Sequence, residues 1–174
     1  QGFTNFGFLM EFDILRLPNG LRVLHVEDAN IMTVHCGFII NAGSRDETLN
    51  ESGIAHLIEH GLFKGTQRRK AFHILTRIDS VGGEINAYTT KEETCIYATA
   101  LKEHFERAAE LLVDVTFSSK FPEKEIKKEI SVIKDEINSY KDNPDEMLVD
   151  EFEELMFPKH SLGRPILGSE ENIS

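Results

Sequence analysis

Five consecutive residues, His56-Leu57-Ile58-Glu59-His60, carry the side chains best suited to chemistry in this chain. Residues four apart on a helix lie one turn above each other, so His56 and His60 could bind one metal ion together. Glu59 follows His56 by three positions, which places its carboxylate beside such an ion. Two imidazoles and a neighbouring carboxylate base are what zinc-assisted hydrolysis requires, and H-x-x-E-H is the inverted form of the zincin helix.

The surroundings of this motif are apolar. Residues 53–63 read G-I-A-H-L-I-E-H-G-L-F, and their only polar side chains are the three of the motif. The stripe of Ile54, Leu57, Ile58 and Leu62 predicts a helix that is buried nearly all round. Buried imidazoles and carboxylates are costly without partners, and a shared divalent cation would satisfy all three. The alternative is a core helix whose two histidines are hydrogen-bonded without a metal.

A third ligand is expected from a second helix, predicted over Pro122–Tyr140 with proline at its start. Its isoleucines recur at spacings of four and three, which defines a buried face. Glu129 and Glu136 each precede a residue of that face by one position, so both lie on the same flank of the helix. A carboxylate on this flank could reach a packed neighbouring helix. The spacing alone does not choose between the two glutamates.

Several segments, in order along the chain, resemble one known family. Gly53–Thr66, G-I-A-H-L-I-E-H-G-L-F-K-G-T, resembles the signature of the pitrilysin/insulinase family of zinc peptidases, which includes the mitochondrial processing peptidases and their bacterial relatives. Further resemblances to that family lie at Leu17–Val23, Gly43–Glu47, Asn86–Thr89 and Ile137–Pro144. The likeness therefore extends along almost the whole chain. One departure is Gly61, where relatives often have methionine; it is expected to be a packing position.

The resemblance implies a set of site residues. It makes His56, His60 and Glu136 the ligands of Zn²⁺, with Glu129 as a supporting carboxylate near the metal. Zinc held by two neutral imidazoles and one carboxylate keeps a positive charge, so it acidifies water and polarises a carbonyl. Glu59 is then expected to take the proton from the attacking water and deliver it to the departing amine.

The resemblance also implies how a substrate binds. Residues 84–89 predict a short strand after the Gly82-Gly83 break. In the family the equivalent strand pairs with an extended peptide at the sheet edge, which gives affinity with little sequence preference. Asn86, Ala87 and Tyr88 are therefore the expected substrate-binding residues. From the residues alone, without the resemblance, an ordinary interior strand is the favoured interpretation.

The expected function is zinc-dependent endopeptidase activity on peptides or unfolded protein segments. One alternative is a catalytically weak or idle partner subunit of the same family, although such relatives typically lose a ligand or the base and this chain has all four residues. A second alternative is a zinc enzyme like S-ribosylhomocysteine lyase, which shares the H-x-x-E-H helix. Its third ligand is a cysteine far downstream, whereas here only Cys95 follows the motif.

The order of predicted elements indicates the fold class. Strands are expected at 12–17, 21–26, 32–41, 84–89 and 94–100, and helices at 53–64, 70–81, 102–117, 122–140 and 145–156. Clustered rather than alternating strands and helices predict an α+β fold. Its mostly antiparallel sheet would be covered by helices, as in the metallohydrolase domain of the mitochondrial processing peptidase type.

Length and composition set the remaining expectations. With 174 residues, of which 40% are hydrophobic, the chain can form one domain with a sizeable core. The net charge of −11 argues against nucleic-acid binding. No apolar run is long enough to span a membrane, and the N-terminus lacks a signal-peptide pattern. Cys36 and Cys95 are expected to be free thiols, which favours a reducing, cytoplasmic compartment.

The resemblance finally implies that residues 1–174 are one metal-bearing domain cut from a longer enzyme. In the family, a second homologous domain or subunit closes over the peptide substrate and supplies further contacts. A homo- or heterodimer is one way to provide it. The chain alone is therefore expected to bind zinc but to cleave peptides poorly.

Overall fold

The computed structural model describes residues 12–173, which fall into two compact units that divide after Met32. The first contains an antiparallel hairpin of β1 (Asp13–Arg16) and β2 (Arg22–His25). Its turn is closed by the Asn19 side chain, which accepts a hydrogen bond from the Leu21 N–H at 3.1 Å. The predicted hairpin is thus present. The N-terminal segment that lacks a signal-peptide pattern includes residues 1–11, which lie outside the described part of the chain.

The second unit contains a three-stranded antiparallel sheet. Its strands are β3 (Thr33–Ile40), β4 (Glu84–Thr89) and β5 (Thr94–Leu101), in the spatial order β3-β5-β4. Alternate residues of each strand face the core, because successive side chains of a strand point to opposite faces. In the described residues β4 pairs with β5 alone, so β4 is an edge strand rather than an interior one.

In the described part of the chain, five helices accompany this sheet and lie close to their predicted positions. They are α1 (Ile54–Leu62), α2 (Ala71–Asp79), α3 (Phe105–Ser118), α4 (Glu123–Lys141) and α5 (Pro144–Met156). Two short 3₁₀ turns, at 44–46 and 49–51, lead into α1. The α+β class with an antiparallel sheet and covering helices is confirmed. Within residues 12–173, no helix combines the length and apolar character needed to cross a membrane.

Among residues 12–173, two hydrophobic clusters hold the helices in place. The larger packs α2 and α3 against the sheet and includes Ile74, Ile78, Ile96, Leu111, Leu112 and Val115. The smaller joins α1 to α4, where Leu57 packs against the buried Ile133 and Ile137. Ile173, near the end of the described chain, completes it. The isoleucine face predicted for α4 is therefore the face that fixes α4 beside α1.

The prediction that α1 is buried nearly all round is wrong. His56 and Leu62 are buried, but Ile54 and Ile58 are 45% and 43% exposed. Both line an apolar groove of ≈ 470 Å³, together with Ile40 and Phe117. The helical period correctly indicated an apolar stripe, but within residues 33–173 no side chain fills the groove that Ile54 and Ile58 face.

The two cysteines are free, as the sequence predicts. Cys95 on β5 is buried and Cys36 on β3 is partly buried. Burial raises the pKa of the Cys36 thiol, which keeps it protonated and unreactive near neutral pH.

Candidate metal centre

The start of α1 is fixed by a buried carboxylate. Glu47 accepts hydrogen bonds from the backbone N–H groups of Gly53, at 2.9 Å, and Ala55, at 2.7 Å. These are among the first donors of the helix and would otherwise lack partners. Gly53 adopts φ = 97°, and a Cβ there would lie 2.8 Å from the Leu167 carbonyl oxygen. The helix that carries the motif therefore begins at a defined point.

Replacing Glu47 with alanine is expected to lower the free energy of unfolding by about 1–3 kcal/mol, because two buried N–H groups lose their acceptor. Burial raises the pKa of Glu47, so part of this bonding is offset by the cost of a buried charge. Urea unfolding followed by circular dichroism measures the change. The exposed Glu171→Ala variant is the control. Equal stability of the two variants would show that Glu47 does not hold the helix.

Helices α1 and α4 run antiparallel, and this direction brings the candidate site together. His60, near the end of α1, contacts Glu129 in the first half of α4. His56, one turn earlier in α1, faces Glu136, which lies two turns later in α4. His60 also faces Glu136. The common flank predicted for the two glutamates is therefore the flank that faces the histidines.

Three potential ligand atoms converge between the helices. Glu136 Oε2 lies 3.8 Å from His56 Nε2 and 3.6 Å from His60 Nε2. One ligand atom from each of the three residues lies within 4.8 Å of the others. The imidazole rings are 4.6 Å apart, centroid to centroid, and nearly perpendicular. In the described residues this is the only such group of three or more His, Cys, Asp or Glu side chains.

The environment keeps His56 neutral. Burial and the nearby His60 lower the pKa of His56, although the Glu59 carboxylate acts in the opposite direction. Its Nδ1 is buried and has no hydrogen-bond partner in the described part of the chain. A neutral imidazole is the form that binds metal. His56 is thus poised to offer its other nitrogen, Nε2, to an ion.

Glu129 supports the second histidine. It is buried, and its Oε2 accepts a hydrogen bond from His60 Nδ1–H at 3.1 Å. Its other oxygen lies 2.8 Å from Lys64 Nζ. Burial alone would raise the pKa of Glu129, but the hydrogen bonds and charges of Lys64 and His60 outweigh it and lower the pKa. A carboxylate that binds Nδ1–H leaves the lone pair on Nε2 of His60.

These residues fit a zinc ion. Ligand atoms about 2.0–2.1 Å from one tetrahedral zinc lie roughly 3.3 Å from each other. The observed separations of 3.6 and 3.8 Å exceed that value only slightly. The Glu136 side chain is 45% exposed, and its Oε2 faces both Nε2 atoms. An ion from solvent can therefore reach this carboxylate, although water surrounds only part of it. Glu59 is partly buried one position before His60.

The residues predicted to bind substrate lie on the edge strand β4. Asn86 and Tyr88 are exposed on the face away from the core, whereas Ala87 is buried within it. The Ala87 N–H donates a hydrogen bond to Asn86 Oδ1 at 2.9 Å. Since the Ala87 side chain is buried, this residue can offer a peptide only its backbone.

Sequence reasoning missed two residues of the site, Glu47 and Lys64. Glu47 lies six positions before the helix that it caps, outside the usual capping spacing. Lys64 follows His60 by four positions, but its partner Glu129 belongs to another helix. Only its place within the Gly53–Thr66 stretch that resembles the family signature could have drawn attention to it.

Known proteins share this arrangement of elements. Residues 22–170 match the family model described as Insulinase (Peptidase family M16). An uncharacterized zinc protease of Bacillus subtilis is 42% identical over 156 residues, which are 90% of this chain and 38% of that protein. The probable mitochondrial-processing peptidase subunit beta of Arabidopsis thaliana is 38% identical over 94% of this chain and 31% of its own length.

A solved structure agrees with these matches. The crystal structure of a protease from Helicobacter pylori superposes with a TM-score of 0.89 at 27% identity, over 95% of this chain and 40% of that one. The chain therefore spans between 31% and 40% of the length of these relatives.

Proposed function

Because the chain belongs to the insulinase family of peptidases, Peptidase family M16, we propose that it is the metal-bearing part of a zinc-dependent endopeptidase. The observation that carries this proposal is the convergence of His56, His60 and Glu136 around one point. The similar zinc protease of Bacillus subtilis supports zinc as the metal. Zinc, when bound there, would supply a Lewis acid that activates water and polarises the scissile carbonyl.

The residues of the chain then have separate roles. His56, His60 and Glu136 hold the ion, and Glu129 orients His60. Glu59 lies on the same helix beside both histidines, where its carboxylate can accept a proton from the attacking water. The protonated Glu59 can next donate that proton to the leaving amine. Peptide hydrolysis needs both transfers, and one carboxylate can perform them in turn.

The edge strand β4 provides a place for an extended substrate. An exposed strand edge presents backbone donors and acceptors with which a peptide can pair as an added strand. Asn86, Ala87 and Tyr88 would take part in this pairing. Such binding depends on the substrate backbone, so peptides or unfolded segments are the expected substrates rather than one defined sequence.

The similar proteins are much longer than this chain, so we propose that peptidase activity requires further parts of the whole protein. A second homologous domain or subunit closing over the peptide would complete the site. The 174-residue chain alone is therefore expected to bind zinc and to cleave poorly.

The test begins with the 174-residue chain, dialysed and then saturated with zinc. We expect one zinc ion per chain by elemental analysis. The full-length gene product is expected to cleave unfolded casein, to stop after 1,10-phenanthroline removes the metal, and to recover when zinc is restored. Cleavage that persists at full rate after complete metal removal would contradict the proposal. Zinc uptake without hydrolysis by the full-length gene product would instead favour an idle partner subunit.

A further inference from the structure

Lys64 lies two residues beyond the end of α1 and extends towards α4. Its Nζ is 2.8 Å from Glu129 Oε1, and the side chains of both residues are largely buried. The other oxygen of the same carboxylate is 3.1 Å from His60 Nδ1. One carboxylate thus joins the ammonium group of Lys64 to the ring of His60.

We propose that Lys64 is a positioning residue of the metal site, which holds Glu129 in the orientation that fixes the His60 ring. The inference rests on the proposed zinc-binding function. The Lys64 ammonium group pairs with Glu129 rather than with one of the three ligand side chains. Its contribution passes through Glu129, and then through His60.

The Glu129 carboxylate needs a partner to fix its orientation. A glutamate carboxylate can rotate about its terminal bond, and either oxygen can accept a hydrogen bond. With Oε1 held by Lys64, Oε2 of Glu129 is the oxygen that faces His60. The charge of Lys64 also offsets the cost of burying the Glu129 carboxylate.

The position of the proton on the His60 ring decides which nitrogen can bind a metal. A neutral imidazole carries its proton on either nitrogen, and the partner of one nitrogen decides which remains available. A carboxylate at Nδ1 keeps the proton there, so that Nε2 faces Glu136 with its lone pair free. His56 has no such support in the described residues, since its buried Nδ1 lacks a partner. Of the two histidines, only His60 thus has a carboxylate at Nδ1 in the described residues.

The backbone around Lys64 is itself held in place. Its backbone N–H donates to the Gly61 carbonyl at 3.1 Å, and the Ser119 hydroxyl donates to the Leu62 carbonyl at 2.7 Å. At Gly61, the Phe121 ring comes within 2.6 Å of where a Cβ would lie. The segment after α1 is thus fixed against the start of α4, and Lys64 leaves it at a defined place.

The sign of the effect separates positioning from simple charge. Lys64 is a cation close to a site for a cation, so its charge alone opposes zinc binding. Removing that charge would then strengthen zinc binding. If Lys64 positions Glu129, its removal weakens zinc binding instead, because Glu129 then supports His60 less well. Losing a direct partner of a metal ligand, such as Glu129, typically costs roughly 10–100-fold in affinity, so the loss of Lys64 is expected near the lower end of this range. The two explanations predict opposite changes.

The experiment measures the zinc dissociation constant of the 174-residue chain by competition with a chromogenic chelator, at fixed pH and ionic strength. We expect about tenfold weaker binding for Lys64→Met and less than about threefold change for Lys64→Arg, which keeps the charged hydrogen bond. Lys127→Met is the matched control, because it removes the same charge from an exposed pair with Glu123 on α4. It should leave the constant unchanged.

Two further measurements test the route through Glu129. In a Glu129→Gln background, Lys64→Met is expected to cause no further loss of zinc affinity. In the zinc-free chain, ¹⁵N resonances of His60 should show the Nδ1–H tautomer, and Lys64→Met should add the other tautomer. This second readout does not depend on metal, and Lys64→Arg should restore the single tautomer.

The outcomes are distinct. If the unaltered chain binds no zinc, the proposed function fails and takes this inference with it. If the unaltered chain binds zinc and folded Lys64→Met binds it equally or more tightly, only the role of Lys64 is overturned. An equal loss of affinity in Lys64→Arg and Lys64→Met, with one His60 tautomer throughout, would also overturn it.

Discussion

Glu59→Gln in the full-length gene product is expected to retain zinc and to lose peptide hydrolysis. The amide has nearly the same shape as the carboxylate but cannot accept the proton of the attacking water. Loss of general-base catalysis typically lowers kcat by roughly 10²–10⁴-fold, equivalent to about 3–5 kcal/mol of transition-state stabilisation. KM should change little, because Glu59 is proposed to act in the chemical step rather than in peptide binding.

The measurement combines steady-state cleavage of a fluorogenic peptide with zinc analysis of the same samples. Glu171→Gln, an exposed substitution outside both helices, is the control for a changed net charge. A Glu59→Gln enzyme that keeps its zinc and retains more than about a tenth of the kcat would remove Glu59 from the role of base. A variant that loses zinc as well would show that Glu59 acts as a ligand or a structural residue.

The helices and strands of this fold could be predicted because their signals are local. The isoleucine spacing of α4 and the turn residues around β1 and β2 depend only on neighbours in sequence. Coverage of a helix face is not local. Ile54 and Ile58 carry the same apolar signal as Leu62, yet they face an open groove, because what covers a stripe is decided by elements far away in sequence.

The candidate site shows the same division. The i and i+4 spacing of His56 and His60 predicts two imidazoles on one face, and the structure has them there. Glu129 and Glu136 could not be separated by spacing, since seven residues complete nearly two helical turns. Only the antiparallel packing of α1 and α4 gives each glutamate a different neighbour. Family resemblance assigned their roles, and those roles stay predictions until metal is measured.

The two glutamates differ in burial and partners, and this difference allows a direct test. Glu129 is buried and bonded to both Lys64 and His60, so Glu129→Gln leaves buried groups with a poorer partner. We expect it to lower the free energy of unfolding of the zinc-free chain by about 1–3 kcal/mol. Glu136 is nearly half exposed and makes only the longer contacts of 3.6 and 3.8 Å. Glu136→Gln should therefore leave the zinc-free chain almost as stable as before.

The stabilisation gained from zinc should be affected in the reverse order, with the larger loss in Glu136→Gln and the smaller in Glu129→Gln. Thermal unfolding with and without zinc measures this stabilisation. At a zinc concentration of 100 times Kd, binding stabilises a folded protein by about 2.7 kcal/mol, which corresponds to about 5–11 °C in Tm at this size. Loss of a direct ligand exceeds the roughly 10–100-fold cost of losing an outer partner. A 100-fold weaker Glu136→Gln site would retain only about 0.4 kcal/mol of stabilisation, or about 1–2 °C.

Glu123→Gln, an exposed substitution on the same helix, is the control and should keep the full zinc-dependent rise in Tm. The decisive pattern combines two results. Glu136→Gln should be stable without zinc and show almost no rise in Tm when zinc is added. Glu129→Gln should be less stable without zinc but still show part of that rise. A merely structural pair of glutamates cannot give this pattern, because then the buried residue would dominate both measurements. If Glu136→Gln responds to zinc like the unaltered chain, Glu136 is not the third ligand, and the convergence of the three side chains is only a feature of packing.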